Sequence, residues 1–304
     1  MSYGLDRAGA ETIVVYDLGG GTFDVSVLTL RKGRYSVLTT SGDNKLGGDD
    51  FDMRIVDYLI NQFALNTGYD LRDPNSGKVP PETFQRLLDA AEEAKKQLST
   101  LTQTRITVPF VVPEKALSLD VALSREQFEK MSYDLLVRTQ KPLRTALADA
   151  DTSPDDIDAV LLAGGSTRMP MVRNFVAELM GKEALLNLNP DECVALGAAI
   201  AANQGTRSVT FIASHSIGVE TEGGVFTPLV EKGATLPTMG EQEFTTSFDD
   251  QTAINFPIFE GEAGKVADNT LLGEIRIDGL EPAPAGVPKV RVGFELSTEG
   301  ILTA

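Results

Sequence analysis

Three consecutive glycines between two apolar segments, with an aspartate on each side, constrain this chain more than any other feature. The motif reads DLGGGTFD and covers residues 17–24. The flanking residues, 12–18 and 23–30, are rich in β-branched and aromatic side chains, which is typical of strands. The sequence therefore predicts a tight turn between two strands rather than a flexible linker.

Such a turn is suited to binding an anion. Glycine allows positive φ angles and lets a ligand approach the backbone with no Cβ in between, and successive exposed N–H groups form an anion-binding concavity. Asp17 and Asp24 are suited to holding a divalent cation, directly or through water. The alternative is an ordinary glycine hairpin with two capping aspartates. The three glycines alone do not distinguish a ligand site from an ordinary hairpin, but the complete motif favours a ligand site.

Composition argues against several classes of function. The net charge of −17 disfavours binding to nucleic acids or anionic membranes, since both select basic patches. One cysteine, Cys193, excludes an internal disulfide and fits a reducing compartment, and one histidine, His215, excludes a histidine-rich metal site. No apolar run is long enough to span a membrane. A cytoplasmic protein with no nucleic-acid or membrane partner is expected.

Hydrophobic periodicity predicts an α/β domain followed by an all-β domain. Through residue 204 strands alternate with helices, among them a helix that follows Asp50 and one that begins at Pro81. From Val209 onward, short alternating segments separated by turn residues replace the helical pattern, as in a β-sandwich.

Two polar motifs in the α/β part have both a functional and a simpler explanation. The helix DAAEEAKKQLST brings four polar side chains to one face at i, i+3, i+4 and i+7: Glu92, Lys95, Lys96 and Ser99. The simpler explanation is a solvated face with a Glu92–Lys96 pair. The segment LAGGSTRMP offers a second glycine turn, beside which Arg168 is suited to stack on an aromatic ring.

The segment NPDECVALGAA places Asp191 at the start of a helix. Stabilisation of the helix dipole is the simpler role for this aspartate. The neighbouring Cys193 is expected to be a buried small side chain.

Together the motifs DLGGGTFD, LGGDDFD, EEAKKQLS, GGSTRMP and NPDECVALGAA, in this order and followed by an all-β segment, resemble the DnaK-type 70-kDa heat-shock chaperones. The resemblance runs nearly from end to end. It implies that residues 1–205 form the second lobe of an actin-like, ribonuclease-H-like ATPase domain, with an inserted helical and β subdomain at about 47–125. Residues 206–216 would be an interdomain linker, and 217–304 a truncated peptide-binding β-sandwich.

The resemblance also implies the nucleotide-binding and catalytic residues. The β- and γ-phosphates of ATP or ADP would contact Gly19, Gly20, Gly21 and Thr22. Asp17 and Asp24 would lie near Mg²⁺, through water, and near K⁺, and together with Thr22 they would form the catalytic group. The adenosine pocket would be lined by Glu92, Lys95, Lys96 and Ser99 and closed by Gly164, Gly165, Ser166 and Arg168, with Asp191 close by and Gly48 at the cleft edge.

For the β-sandwich, the resemblance implies a peptide cleft lined by Val219, Thr221, Phe244, Ser247, Ile254 and Phe256. Glu222 stands where the family's peptide-covering arch usually has an apolar residue. Binding of peptides by this part is therefore expected to be weak.

The chain differs from the family pattern in three places. It begins after the family's N-terminal lobe, which carries a first phosphate loop, a lysine and a glutamate, so whether this chain alone is an ATPase is left open. The linker segment SVTFIASHS lacks the family's aspartates, and the all-β part stops at EGILTA, short of the final strands and the helical lid.

The expected function is that of a segment or reduced form of an ATP-dependent stress-response chaperone that binds nucleotide and extended apolar peptides of unfolded proteins. A nucleotide exchange factor, contacting residues 47–125, and a J-domain co-chaperone would be its partners. One alternative is a pseudo-ATPase interaction module, which predicts no nucleotide binding. A second is a kinase of the actin-like superfamily, which would need both phosphate loops and would not predict the all-β tail.

Overall fold

A computed structural model of the chain describes residues 10–31, 34–185, 189–204 and 209–304. The described residues divide into two compact units. The second unit comprises Arg34–Thr39 and the residues from 209 onward, and the first unit comprises the others. The architecture is mixed α/β, as the sequence predicted.

The described elements up to residue 204 are six strands and five helices. The strands are β1 (Ala10–Leu18), β2 (Phe23–Arg31), β3 (Arg34–Asp43), β4 (Gln103–Val112), β5 (Leu117–Ser124) and β6 (Ala159–Ala163). The helices are α1 (Gly48–Thr67), α2 (Pro81–Leu98), α3 (Arg125–Asp149), α4 (Pro170–Met180) and α5 (Cys193–Gln204).

A central sheet carries both glycine motifs. β1 pairs with β2 in antiparallel and with β6 in parallel orientation, and the strand order is β6-β1-β2-β3. Alternate residues of β2, among them Phe23, Val25 and Val27, are fully buried. Since β1 and β6 are parallel neighbours, their C-terminal ends, Leu18 and Ala163, lie at the same edge of the sheet, and both glycine turns start there.

The buried side chains of α1, α2 and the β4–β5 hairpin belong to the hydrophobic core of the first unit. Phe51, Ile55 and Leu59 form the buried stripe of α1, at the spacing of a helix with one apolar face. α1 ends at Gly68, which adopts the left-handed conformation expected of a helix-terminating glycine. β4 and β5 pair in antiparallel orientation with an irregularity between Val108 and Val112.

The remaining described residues form strands joined by turns. These strands are β7 (Val209–Thr210), β8 (Ile217–Thr221), β9 (Val225–Val230), β10 (Thr238–Thr245), β11 (Ala253–Glu260), β12 (Thr270–Asp278), β13 (Lys289–Leu296) and β14 (Leu302–Thr303). Within the second unit, β7 pairs in parallel with Tyr35 and Ser36 of β3.

Two sheets of the second unit share one hydrophobic core. Their strand orders are β12-β11-β8-β9 and β10-β13-β14. Val219 and Phe256 of the first sheet cluster with Val292 and Phe294 of the second, and all four are buried. The apolar alternation along these strands therefore produces a core between two layers.

The segment expected to be a linker is only partly described, since 206–208 lie outside the described residues. Its later part is hydrogen-bonded within the second unit. The N–H of Ala213 donates to the carbonyl of Ala234 over 2.9 Å, and the N–H of Leu236 donates to the carbonyl of Phe211 over 2.9 Å. Ala213 is also buried. None of the described helices has the length and apolar character needed to span a membrane.

Candidate functional site

The first glycine turn joins β1 to β2 as a tight hairpin. The N–H of Gly19 donates to the carbonyl of Thr22 over 3.0 Å. The register of the two strands places Asp17 directly opposite Asp24. The two carboxylates of the motif therefore flank the base of one turn.

The three glycines of this turn provide open space rather than unusual backbone angles. None of Gly19, Gly20 and Gly21 adopts a positive φ. A Cβ on Gly21 would meet no atom within 4 Å, and one on Gly20 would only approach Asp49 at 3.8 Å. Since packing within the protein does not demand glycine at these two positions, their backbone is accessible to a ligand.

The carbonyls of the turn are occupied by neighbouring elements. The N–H groups of Gly48 and Asp49, at the start of α1, donate to the carbonyls of Gly19 and Gly20 over 2.9 and 2.8 Å. The Oγ of Ser166 donates to the carbonyl of Gly19 over 3.0 Å. In the described part of the chain, the N–H groups of Gly20 and Gly21 have no such partner. The N–H groups of Gly20 and Gly21 are therefore available to a ligand, whereas that of Gly19 is used within the turn.

Asp17 and Asp24 form a pair of neighbouring carboxylates at the base of the turn. Burial raises the pKa of Asp17 above its ordinary value, and the neighbouring carboxylate of Asp24 raises it further. Mg²⁺ is commonly held by one or two carboxylates together with waters and phosphate oxygens, so the pair fits such an ion. Among the described residues, no group of three or more acidic, histidine or cysteine side chains forms a ready metal site.

A cavity of about 530 Å³ lies beside the turn, which is within the usual size range of small-molecule sites. Five separate segments of the chain supply its walls. It is lined by Gly20, Asp49, Asp52, Glu92, Lys95, Lys96, Ser99, Thr100, Gly165, Ser166, Arg168, Met169, Arg173 and Asp191.

One wall of the cavity is the polar stripe of α2, and its members have different partners. Lys96 and Glu92 form an ion pair of 2.7 Å on the solvent side, as the simpler explanation of the stripe predicted. The hydrogen bond from Lys96 lowers the pKa of Glu92. Lys95 instead forms a 2.6 Å ion pair with Asp52 of α1, where both side chains are largely buried. The stripe is therefore not simply a solvated face.

The opposite wall contains Arg168, which follows the second glycine turn. Its guanidinium donates to Oδ2 of Asp191 over 2.5 and 2.9 Å and to Oδ1 of Asn189 over 2.7 Å. Asp191, which lies just before α5, therefore orients the guanidinium of Arg168. The pair is half exposed, so it contributes little to stability.

The structure brings most of the predicted adenosine residues to this cavity. The predicted residues that lie outside the lining are Asp17, Gly19, Gly21, Thr22, Asp24, Gly48 and Gly164. All of them belong to the two glycine turns, their flanking strand residues or the start of α1. Their roles toward a nucleotide stay predictions.

Five lining residues were not predicted from the sequence: Asp49, Asp52, Thr100, Met169 and Arg173. Asp52 carried a signal, since it is a carboxylate on the apolar stripe that also contains Ile55 and Leu59. Asp49 directly follows a glycine pair. For the other three, we find no feature beyond proximity to a motif.

A second cavity, of about 590 Å³, lies within the second unit. Of the predicted peptide-contacting residues, it is lined by Thr221, Glu222, Phe244, Ser247, Ile254 and Phe256. The rings of Phe244 and Phe256 are in contact, with their centroids 5.1 Å apart. Val219 does not line this cavity, because its side chain is fully buried in the core. The exposed Glu222 lies in the turn between β8 and β9.

Comparison with known proteins agrees with the motifs. A family model described as Hsp70 protein matches residues 1–304. The chain is 43% identical over 314 aligned residues to the chaperone protein DnaK of Thermosipho melanesiensis, and the alignment covers 99% of this chain. It covers 52% of that protein, so the chain spans about half the length of this relative. The chain belongs to the Hsp70 family.

Proposed function

We propose that the first unit binds ADP or ATP together with Mg²⁺ in the cavity beside the glycine turn. The observation that carries this proposal is that residues from five separate segments of the chain meet around one cavity of nucleotide size. Family membership supports it, since the motifs that meet here are those on which the resemblance rests.

The residues of the cavity and of the adjacent glycine turn divide between the two ends of a nucleotide. The free N–H groups of Gly20 and Gly21 suit the phosphates, since consecutive backbone donors bind anions. Lys95, Ser99 and Arg168 suit the adenosine, because they offer hydrogen-bond donors and a planar guanidinium for stacking. Bound Mg²⁺ would neutralise phosphate charge, and Asp17 and Asp24 would hold it through water, with K⁺ as an additional ion.

Isothermal titration calorimetry with ADP, with and without Mg²⁺, tests this proposal. We expect one site per chain. Gly20→Val, which fills the open side of the turn, and Arg168→Ala are each expected to weaken binding at least tenfold. Arg276→Ala is a matched control, because Arg276 forms a similarly exposed pair with Asp278 on the second unit. If the folded wild-type chain bound no nucleotide, the pseudo-ATPase alternative would replace this proposal.

We propose further that the second unit is a β-sandwich that binds extended apolar peptides in its 590 Å³ cavity. Phe244, Ile254 and Phe256 offer an apolar lining, while the surrounding carboxylates restrict the apolar surface that a peptide can contact. Because a peptide side chain would have to desolvate Glu222, binding is expected to be weak.

Fluorescence anisotropy with a leucine-rich heptapeptide tests the peptide site. Glu222→Met is expected to tighten binding several-fold, because it replaces a charge with a flexible apolar side chain. Glu281→Met, at another exposed position of the second unit, is the control. Submicromolar affinity of the unmodified chain would contradict the role given to Glu222.

Together the two sites support a role in an ATP-dependent, cytoplasmic stress-response chaperone, with a J-domain co-chaperone as one partner. We also propose that a nucleotide exchange factor contacts residues 47–125, which contain α1, α2 and the β4–β5 hairpin. A pull-down with an exchange factor tests this contact, with circular dichroism as the check on folding. Failure of the folded chain to be retained would contradict it.

A further inference from the structure

Asp52 is a buried carboxylate that the nucleotide proposal leaves without a role. It lies on the apolar stripe of α1 and is only 4% exposed. Its Oδ2 accepts a hydrogen bond of 2.6 Å from Nζ of Lys95, while its Oδ1 has no partner in the described part of the chain. A buried carboxylate with one unpaired oxygen costs folding free energy, so its presence needs another explanation.

The partner of Asp52 connects α2 to the glycine turn. Besides Asp52, Nζ of Lys95 donates to the carbonyl of Gly48 over 2.9 Å. The N–H of the same Gly48 donates to the carbonyl of Gly19. Since an ammonium group has three donors, these two bonds leave one N–H of Lys95, whose side chain lines the cavity.

The packing around Gly48 shows how closely Lys95 is held. A Cβ on Gly48 would lie 3.1 Å from Nζ of Lys95 and 2.6 Å from Oγ of Ser166. The ammonium group is therefore placed against backbone rather than left to move in solvent. Without the carboxylate, the lysine would keep only one neutral acceptor and its rotamer freedom would increase.

We infer that Asp52 is a positioning residue for nucleotide binding, because it holds Lys95 against Gly48 so that the remaining ammonium N–H is available to the ligand. This inference rests on the proposed nucleotide site. Asp52 is part of the cavity wall, but its Oδ1 is buried and its Oδ2 is bonded to Lys95, so it acts on the ligand through the lysine.

A purely structural role for the pair makes a different prediction. Replacing both members of a buried ion pair by apolar residues of similar size is often neutral or stabilising, whereas removing one member is strongly destabilising. The Asp52–Lys95 pair is thus poorly explained as a source of stability. If the ion pair serves binding, replacing both residues together should weaken nucleotide binding and leave the fold intact.

A double-mutant cycle with ADP affinity as the readout tests the inference. Asp52→Asn and Lys95→Met are each expected to weaken ADP binding at least tenfold. In the Lys95→Met background, Asp52→Asn is expected to change affinity by less than twofold, because Asp52 acts through the lysine. Asp134→Asn is the control, since Asp134 of α3 forms an exposed 2.5 Å ion pair with Arg54 of α1, the helix that carries Asp52.

Other results would contradict the proposed role of Asp52. Independent, multiplicative losses would show that Asp52 does not act through Lys95, and unchanged affinity in Asp52→Asn would show that it has no positioning role. The variant Asp52→Leu/Lys95→Met should unfold thermally no earlier than Lys95→Met alone, and marked destabilisation would return the pair to a structural role. If the wild-type chain bound no ADP, the proposed function itself would fail.

Discussion

Two glycines near the candidate nucleotide site are needed for different reasons. Gly164 has a φ of +81°, and a Cβ there would lie 2.3 Å from the carbonyl oxygen of Leu18. Gly21 has neither constraint, because a Cβ would meet no atom within 4 Å. The first glycine is required by the fold and the second leaves room for the proposed ligand.

Gly164→Ala is therefore expected to destabilise the first unit by about 2 kcal/mol or more, from backbone strain together with the close contact. Gly21→Ala is expected to change the unfolding free energy by less than about 0.5 kcal/mol, yet to weaken ADP binding. Chemical unfolding and calorimetry on both variants check this. Equal loss of stability in the two would refute the distinction.

Asp17 gives a prediction about pH. Its pKa is raised in the folded chain, so the folded state binds the proton more tightly than the unfolded state does. Ionisation of Asp17 therefore destabilises the fold, fully above the folded-state pKa and not at all below the unfolded-state pKa. Asp17→Asn should stabilise the first unit at neutral pH, and this gain should disappear as the pH falls through the carboxyl range.

Urea unfolding at several pH values, without Mg²⁺, measures this effect. Asp57→Asn, at an exposed position of α1, is the control. With Mg²⁺ and ADP present, Asp17→Asn should instead lower the free energy of unfolding, because the Asp17 carboxylate then interacts with a cation. A pH-independent effect of Asp17→Asn would contradict the electrostatic explanation.

At the residue scale, the predicted residues that line the cavity are those that a local motif identifies. The α2 stripe and Arg168 could be identified because their spacing is set by a single helix or turn. Asp52 was missed because its partner, Lys95, is 43 positions away. Only the packing of α1 against α2 brings the two together, and periodicity carries no information about which helices meet.

At the element scale, local capping determines where α3 begins. Ser124 accepts a hydrogen bond from the N–H of Gln127 over 3.1 Å, and the side chain of Gln127 accepts one from the N–H of Ser124 over 3.1 Å. This is a reciprocal capping box.

Ser124→Ala should destabilise the first unit by about 1 kcal/mol, because a backbone donor at the start of α3 loses its acceptor. Ser124→Asn should stay close to the wild type, since asparagine is an equally good N-cap. Urea unfolding measures both variants. If asparagine were as damaging as alanine, the hydroxyl would have a role other than capping.

Element boundaries followed from the sequence where a proline or glycine marks them. Pro81 begins α2, as predicted, and Gly68 terminates α1. The backbone conformation of the glycine turn was less predictable, and Gly19, Gly20 and Gly21 have no positive φ angle. Glycine tolerates many conformations, so its presence alone does not specify which one is adopted.

At the scale of the whole molecule, the order of motifs along the chain was more informative than any one of them. It identified the family, and the mixed α/β architecture followed. The sequence could not give the lining of the cavities, because it is formed by side chains that meet only through tertiary packing. Val219 illustrates this, since it was predicted to contact a peptide and is buried in the core instead.

The two units have separate hydrophobic cores, which predicts two unfolding transitions. Phe51 is fully buried in the first core and Phe294 is fully buried in the second, and the two clusters share no residue. Phe→Ala in a core costs about 3–5 kcal/mol. Phe51→Ala should therefore lower only the first unit's transition, and Phe294→Ala only the second unit's.

Differential scanning calorimetry with and without ADP is a second way to assign each unfolding transition to a unit. A ligand that binds only the folded first unit stabilises it by about 2.7 kcal/mol at a hundredfold excess over its Kd. The transition that Phe51→Ala lowers should therefore be the one that ADP raises, while the transition sensitive to Phe294→Ala should stay in place. A single transition shifted equally by both substitutions and by ADP would mean that the two cores unfold as one cooperative unit, despite sharing no buried residue.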